Sequence, residues 1–422
     1  MYKQLNHPLW IKEKVEKIEQ RIAPEIRRIE QQVDEHQWRV LHFFRQHGVS
    51  EYHLQSSTGY GYDDVGREVF ERIFADLFGA ELALVRPHII SGTHAIAACL
   101  YGVLRPGDEL IYLSGKPYDT LQQVIGTESD GSGSLMDYGI RYKEIPLLPD
   151  GSVDFATFQS LLTDRTKVVG IQRSRGYADR PSFTISQIAE MIGQIREIRS
   201  DLVVFVDNCY GEFVEDKEPT HVGADLIAGS LIKNPGGGLA KSGGYIAGKE
   251  KWVKKAAARL VAPGIGLEGG ATFGYLRDYY QGLFLAPHVV GEALKGAVFA
   301  AALLEEIGFD TTPKWNEVRT DIIQQVRLGN PDLLVAFCQG IQAGSPVDAH
   351  IAPVPAPMPG YKDPVIMAAG TFVQGASIEL SADGPLRPPY IAYLQGGLTY
   401  SHVKIALIQA VDRMIETGKI DR

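Results

Sequence analysis

Beyond Tyr60, short apolar runs alternate with amphipathic stretches of helical periodicity, which is the pattern of βαβ units. Between two of the runs, Ile185–Ile198 has apolar residues at helical spacing, with candidate N-caps at Ser182 and Thr184, which predicts a crossover helix. The chain is therefore predicted to fold as an α/β protein with a mostly parallel sheet. The predicted strands are Leu82–Val85, Glu109–Leu113, Lys167–Ile171, Leu202–Val206 and Leu226–Ile232.

The pattern differs at the two ends of the chain. From Pro8 to Gly48, charged residues and helical apolar spacing, interrupted by Pro24, predict two helices that form an arm. The arm either packs on its own subunit or embraces a partner subunit. From about Val298 the βα alternation ends, which indicates a smaller domain that finishes with a helix at His402–Glu416. The predicted division is a helical arm at 1–58, a large α/β domain at 59–297 and a small α+β domain at 298–422.

Composition argues against several partners. The net charge of −9 argues against a basic groove for nucleic acid or a basic face for anionic lipid, because both depend on clustered Lys and Arg. The three cysteines, Cys99, Cys209 and Cys338, are too few and too far apart for a disulfide framework or a four-ligand zinc site. The histidines and carboxylates show no ligand spacing, so no metal is expected. No signal peptide and no long uninterrupted apolar stretch are visible, and a reducing, cytoplasmic location is expected.

An aspartate and a lysine each follow a predicted strand. Ligands of open α/β sheets bind beyond the carboxyl ends of the strands, where Asp207 is placed, although an aspartate there also suits a turn or an N-cap. Lys233 comes three residues before the first of the glycines at 236–238. A desolvated amine near positive charge loses its proton readily, as Schiff-base formation requires. A solvated lysine at a strand end is the alternative.

Together these two residues match the needs of pyridoxal phosphate. A carboxylate keeps the pyridine nitrogen protonated, so that the ring accepts electrons, and a lysine anchors the aldehyde and moves protons. Asp207 precedes Lys233 by 26 positions, and Ser230, three before the lysine, can reach a phosphate oxygen. The sequence therefore predicts an enzyme that binds pyridoxal phosphate and acts on a small amino acid.

Two further segments suit the same cofactor. Ser91, Gly92 and Thr93 form a small polar turn at a predicted helix start, where backbone N–H groups and the helix dipole attract a phosphate. A merely capped helix would look similar. Tyr118 follows the second predicted strand and can stack on a cofactor ring, although a lone aromatic more often lies in a core.

The chain resembles the methionine gamma-lyase-like "aluminium resistance protein" family, which belongs with the pyridoxal-phosphate enzymes of cysteine and methionine metabolism. The resemblance extends over nearly the whole chain. It implies fold type I, with a mostly parallel seven-stranded sheet flanked by helices, a smaller α+β domain and an N-terminal arm. The segments that carry it are Tyr60–Arg67, Ser91–Ala95, Gly115–Thr120, Gln172–Tyr177, Asp207–Phe213 and Ser230–Gly238.

The resemblance also implies site roles. Ser91, Gly92 and Thr93 would bind the phosphate with Ser230, Tyr118 would stack on the ring, Asp207 would hold its nitrogen, and Lys233 would carry the cofactor. In the related lyases, a tyrosine and an arginine reach the neighbouring subunit's phosphate. The counterparts are Tyr60 or Tyr62 with Arg67, which implies a homodimer or homotetramer with active sites at the subunit interface.

An arginine clamps the substrate carboxylate in the related lyases, because a guanidinium pairs a carboxylate bidentately. Arg387 is the candidate, and Arg173 and Arg175 are rivals. The implied reaction is carbon–sulfur lysis by β- or γ-elimination on a sulfur amino acid. Transamination and aldol cleavage start from the same bound state and remain alternatives. A non-catalytic role in stress or metal tolerance is the alternative outside enzymology.

Overall fold

The computed structural model describes residues 5–127, 131–358 and 361–420. Within it the chain forms two compact units, each of which is discontinuous in sequence. The unit that we call the α/β unit comprises Trp38–Leu231 and Leu239–Phe284. The C-terminal unit comprises Met1–Gln37, Ile232–Gly238 and Leu285–Arg422. The domain limits predicted at residues 58 and 297 stay a prediction.

The described part of the α/β unit is built on a seven-stranded sheet of order β1-β7-β6-β5-β4-β2-β3. Strands β2 to β6 run parallel, whereas β7 is antiparallel to both β1 and β6. The strands are β1 (Leu82–Arg86), β2 (Glu109–Tyr112), β3 (Arg141–Glu144), β4 (Thr166–Gln172), β5 (Val203–Asp207), β6 (Leu226–Ser230) and β7 (Gly244–Gly248).

Helices cover this sheet, as buried parallel strands require. Four of them begin at residues whose side chains cap the helix, namely Asp64, Ser91, Asp154 and Thr184. Gly102 lies so close to Ala256 that a Cβ on the glycine would be 2.8 Å from the alanine Cα, which holds α3 tightly against α7. The helices are α2 (Val65–Leu77), α3 (Gly92–Val103), α4 (Asp119–Ile125), α5 (Phe155–Leu161), α6 (Ile185–Ile198) and α7 (Glu250–Leu260).

The predicted fold class is confirmed, including the mostly parallel seven-stranded sheet. The five predicted strands are present with their ends shifted by one or two residues, and the crossover helix has the predicted bounds, Ile185–Ile198. Sequence reasoning missed β3 and β7. Strand β3 is a polar edge strand, and β7 is short and bounded by glycines, so neither shows a long apolar run.

The prediction of two N-terminal helices is wrong. A single helix, α1, extends over Pro8–Gln46 with Pro24 in its interior. Proline removes one backbone hydrogen bond, yet a helix persists through it when packing holds both sides. Here the apolar stripe is buried on each side of the proline, at Ile18 and Ile22 before it and at Ile29 after it.

The described part of the C-terminal unit contains a five-stranded antiparallel sheet of order β10-β11-β12-β9-β8. Helix α9 packs on α10, with Gly340 directly against Ala410. The strands are β8 (Asp310–Thr312), β9 (Ile323–Arg327), β10 (Val365–Ala368), β11 (Ser381–Pro385) and β12 (Ile391–Gln395). The helices are α9 (Pro331–Ala343) and α10 (Tyr400–Glu416), together with the later part of α8 (Leu276–Glu306).

Helix α8 is, within the part of the chain that the structure describes, the one helix long and apolar enough to cross a membrane. However, 72% of its most apolar window is buried inside the protein. The core helix of a globular protein has the same length and composition, so α8 is weak evidence for a membrane span.

Candidate active site

The carboxyl edge of the parallel strands gathers polar residues from several segments of the α/β unit. Asp207 is the last residue of β5 and is buried, and its Oδ1 accepts the backbone N–H of Cys209 at 3.1 Å. Strand β5 places it there because the four residues before it are apolar and buried in the sheet. The carboxylate therefore lies where ligands of such sheets bind.

The start of α3 lies against the same edge. Ser91 caps the helix by accepting the His94 N–H at 3.0 Å. A Cβ added to Gly92 would be 3.1 Å from Cys209 Sγ and 3.7 Å from Ser230 Cβ. The helix start thus meets the segments that follow β5 and end β6, and a side chain at position 92 would make a tight contact with Cys209. Its N–H groups and dipole make this corner suitable for a phosphate.

Tyr118 belongs to the same group of residues. Its N–H donates to Gln172 Oε1 at 2.7 Å, and a Cβ on Gly176 would be 2.8 Å from its ring. Two residues further on, the Thr120 hydroxyl lies 3.0 Å from the Thr93 hydroxyl. The loop after β2 is therefore joined both to the end of β4 and to the start of α3.

Lys233 lies three residues beyond β6, in the segment of the chain that belongs to the C-terminal unit. Its side chain is half-buried, and its carbonyl accepts the Gly236 N–H at 3.2 Å in a short 3₁₀ turn over Asn234–Gly236. Gly237, directly after the turn, adopts a left-handed conformation (φ 53°), which explains the need for glycine.

The three candidate arginines have different surroundings. Arg173 is fully buried; its guanidinium lies 2.8 Å from Glu215 and 3.3 Å from Glu218, and it also donates to Asn208. Burial raises the pKa of Glu218, which Arg173 opposes. Arg175 is buried next to Gly176, three residues after the end of β4. Arg387 is half-exposed and lies 3.0 Å from Asp363.

The residues predicted to act across a subunit interface also differ in their exposure to solvent. Tyr60 and Tyr62 are 78% and 52% exposed, with their rings stacked at 5.5 Å. Arg67 is buried instead, and its guanidinium donates to the carbonyls of Gly61 and Gly270 at 2.5 and 2.7 Å. Burial and the neighbouring Arg86 lower the pKa of Arg67.

Sequence reasoning missed three residues of this edge: Thr120, Gln172 and Cys209. Gln172 was predictable, because it ends β4 as Asp207 ends β5. Thr120 had no such signal, since its contact with Thr93 joins segments 27 residues apart. Cys209 was noted only as a cysteine, and its position against Gly92 depends on the fold.

These residues fit pyridoxal phosphate. The corner at Gly92 leaves room that a side chain would fill, and its hydroxyl and N–H donors suit a phosphate. A buried carboxylate and a half-buried tyrosine lie on the same edge, as a pyridine ring requires. By contrast, no group of three His, Cys, Asp or Glu side chains among residues 5–127, 131–358 and 361–420 is arranged to hold a metal ion.

The fold of this chain is similar to that of known structures. The Escherichia coli protein YhfS, which is named as pyridoxal-5′-phosphate dependent, matches with a TM-score of 0.59 over 91% of this chain and 96% of that chain. At 17% identity this likeness shows the fold alone, and the fold is that of the pyridoxal-phosphate-dependent enzymes of fold type I.

Within that class, the chain belongs to the methionine gamma-lyase family, whose family model matches residues 11–415. The Bacillus subtilis protein YnbB is 57% identical over 99% of each chain. A Listeria monocytogenes structure, named as a candidate cystathionine beta-lyase involved in aluminium resistance, is 56% identical. It superposes with a TM-score of 0.94 over 96% of this chain and 100% of that one. The resemblance found in the sequence is confirmed.

Proposed function

We propose that this chain is a pyridoxal-phosphate-dependent carbon–sulfur lyase that performs β- or γ-elimination on a small sulfur amino acid. The observation that carries the proposal is the approach of Gly92 to Cys209 and Ser230, which forms a corner for a phosphate beside the buried Asp207. Membership of the methionine gamma-lyase family and the lyase name of the Listeria monocytogenes relative support the type of reaction.

Each residue has a defined task in this proposal. Ser91, Gly92 and Thr93, with Ser230, bind the phosphate through hydroxyl and backbone N–H groups. The carboxylate of Asp207 holds a proton on the ring nitrogen, and the Tyr118 ring packs on the pyridine face. Lys233 holds the cofactor and then moves a proton at its Nζ. The bound cofactor supplies an electron sink for the substrate.

The substrate carboxylate needs a buried, oriented cation. The guanidinium of Arg173 already contacts two glutamates, and Arg387 lies on the surface beside Asp363. Arg175 is buried three residues after β4, next to the glycine against which Tyr118 packs. We therefore favour Arg175 over Arg387 for this role.

The functional unit is proposed to be a homodimer or homotetramer. The support is the exposure of the stacked Tyr60 and Tyr62, which are large aromatic side chains directed to solvent in the single chain. Arg67 would contribute by holding the backbone of this loop rather than by reaching a neighbour, because its guanidinium donates to Gly61 and Gly270. A cytoplasmic location stays a prediction.

The cofactor assignment is tested by visible absorption of the protein reconstituted with pyridoxal phosphate. The wild type should show a visible band that borohydride bleaches, and Lys233→Ala should lose it. Lys241→Ala is the matched control, because this lysine follows the same glycine-rich turn but is exposed and paired with Asp278. A wild type without a band, or a bleachable band in Lys233→Ala, contradicts the proposal.

The reaction is tested with cystathionine, cysteine and methionine. Release of a 2-oxo acid together with a thiol supports lysis. Amino exchange that depends on a 2-oxo acid identifies a transaminase, and cleavage of a β-hydroxy amino acid identifies an aldolase; either result, without lysis, overturns the proposed reaction. Cofactor binding without turnover of any of these substrates would also overturn it and favour a non-catalytic role.

A further inference from the structure

A cavity of about 460 Å³ lies in the α/β unit, away from the carboxyl edge. Its walls come from the end of α3 and the turn after it, from Tyr138 and Ile140, and from the last turns of α7 with the segment that follows. The volume falls within the range of about 300–1,000 Å³ that is usual for small-molecule sites. None of these residues takes part in the proposed lyase reaction.

The walls of this cavity are held firmly. Its two helical walls, α3 and α7, are locked together by the contact of Gly102 with Ala256. The Tyr101 hydroxyl donates to the Gly133 carbonyl at 2.7 Å and so joins α3 to the segment that carries Tyr138. A site with such fixed walls loses little conformational entropy when a ligand binds.

Three cations line the cavity: Arg105, Lys255 and Arg259. Arg105 donates its side-chain hydrogen bonds to backbone carbonyls at the end of α3, and Arg259 lies over the Tyr101 ring at 5.2 Å. In the part of the chain that the structure describes, neither Lys255 nor Arg259 has a carboxylate within ion-pair distance. The cavity thus carries positive charge without a bound acid.

The charged groups that act on Lys255 are mostly positive. Burial and the nearby Arg105, Lys167 and Lys251 lower the pKa of Lys255, against a smaller opposing effect of Asp108. The Asp108 carboxylate accepts the Arg105 N–H, and Asp137 accepts the N–H groups of the 133–134 turn. Neither acid lines the cavity, whose lining carries three cations and no carboxylate.

The rest of the lining is largely apolar, with Leu104, Ile140, Ala258 and Val261 among its residues. We propose that this cavity binds a small amphipathic anion, which consists of a carboxylate or phosphate on an aromatic or short aliphatic body. The anionic group pairs with Lys255 and Arg259, and the body packs on the apolar wall and the tyrosine rings.

The proposal is tested on the full-length holoenzyme with the aromatic sulfonate 8-anilinonaphthalene-1-sulfonate as a fluorescent probe. We expect saturable binding that the double variant Lys255→Gln/Arg259→Gln weakens at least tenfold. Lys254→Gln is the matched control, because this neighbouring lysine on α7 is exposed and paired with Glu250, and it should bind as the wild type does. Equal binding by the double variant and the wild type overturns the proposal.

A second variant keeps the charges and removes the space. Ala258→Trp fills the cavity and should abolish probe binding, while circular dichroism and thermal unfolding show that the fold is kept. Retained binding in this variant contradicts the proposal. The proposal is also contradicted if the wild type does not bind the probe and the double variant changes its oligomeric state. That result would indicate that the cavity belongs to a subunit interface.

Displacement of the probe then identifies the anion. Displacement by octanoate but not by phenyl phosphate selects a carboxylate, and the reverse selects a phosphate; both results support the site. Inorganic phosphate should displace the probe at least tenfold more weakly than phenyl phosphate, because it has no apolar body. Equal potency would overturn the amphipathic character of the ligand.

Discussion

Two arginines, one at the carboxyl edge of the seven-stranded sheet and one after a strand of the five-stranded sheet, lie in opposite surroundings. At the edge, Arg173 is fully buried, with Glu215 and Glu218 around its guanidinium. After β11 of the five-stranded sheet, Arg387 is half-exposed and faces one half-exposed carboxylate, Asp363. The same residue type is thus a buried connector in one region and a surface ion pair in the other.

The difference follows from topology. Parallel strands all end at one edge, so the polar residues that follow β4, β5 and β6 meet there and must satisfy one another in a buried place. Antiparallel strands end alternately at both edges, so the ends of neighbouring strands do not gather in one place, and Arg387 follows β11 at a half-exposed position. We therefore expect the charge of Arg173 at the parallel edge to matter more for stability than the charge of Arg387.

The largest expected difference between the two arginines is in their contribution to stability. Arg173→Met should lower the free energy of unfolding by about 3–5 kcal/mol, because it leaves two glutamates and Asn208 without their buried cation. The same change at the surface pair, Arg387→Met, should cost less than about 1 kcal/mol. Urea unfolding of the two variants measures both values. Similar losses in the two variants would show that the buried arginine at the carboxyl edge contributes no more to stability than the surface ion pair does.

A second comparison concerns buried carboxylates. Asp207→Asn should lower kcat by about 10²–10³-fold, as expected when one charged group that stabilises the transition state is removed. Asp383 is the counterpart in the five-stranded sheet, where it is buried and accepts a hydrogen bond from Gln395. Asp383→Asn should leave kcat within about twofold. Equal effects on kcat would contradict the proposed role of Asp207.

The sequence predicted the carboxyl edge better than the rest because the strand-end rule needs only local information. Asp207 and Ser230 were found from the apolar runs that precede them, and the helix start at Ser91 was found from its small polar residues. The meeting of Thr93 with Thr120 was not predictable, since it depends on how α3 and α4 pack.

Elsewhere local rules failed for identifiable reasons. Pro24 was expected to end a helix, but buried isoleucines on both sides hold α1 together. The resemblance put Arg387 ahead of Arg173 and Arg175, but burial and partners distinguish the three arginines and neither is a local property of the sequence. Strand β7 was missed because its flanking glycines resemble a loop.

A further prediction concerns the arginine that binds the substrate carboxylate. If Arg175 binds the substrate carboxylate, Arg175→Ala should raise KM by about 10–100-fold, which corresponds to the loss of a charge-assisted hydrogen-bonded pair of about 1.5–3 kcal/mol. Arg175→Lys should recover part of the loss, because it restores the charge without the bidentate geometry. Arg387→Ala should change KM less than twofold. The opposite pattern would move the carboxylate site to the five-stranded sheet.

The smallest expected effect lies in the C-terminal unit, where Lys14, Lys17 and Arg21 of α1 surround Glu306 of α8. Hydrogen bonds from Lys17 and Lys14 lower the pKa of Glu306 to about 2. A carboxylate with a lowered folded pKa stabilises the protein above its ordinary pKa and loses this contribution as the pH falls towards 2.

Glu306→Gln should therefore lower the free energy of unfolding by about 1 kcal/mol at pH 7, because Lys17 is largely exposed and Lys14 and Arg21 are partly exposed. The difference from the wild type should shrink between about pH 4.5 and 2, which thermal unfolding across this window measures. Glu16→Gln, at an exposed pair on the same helix α1, should show no such pH dependence. A loss at Glu306 as large as at Arg173 would mean that exposed charge networks stabilise this protein as strongly as the buried edge does.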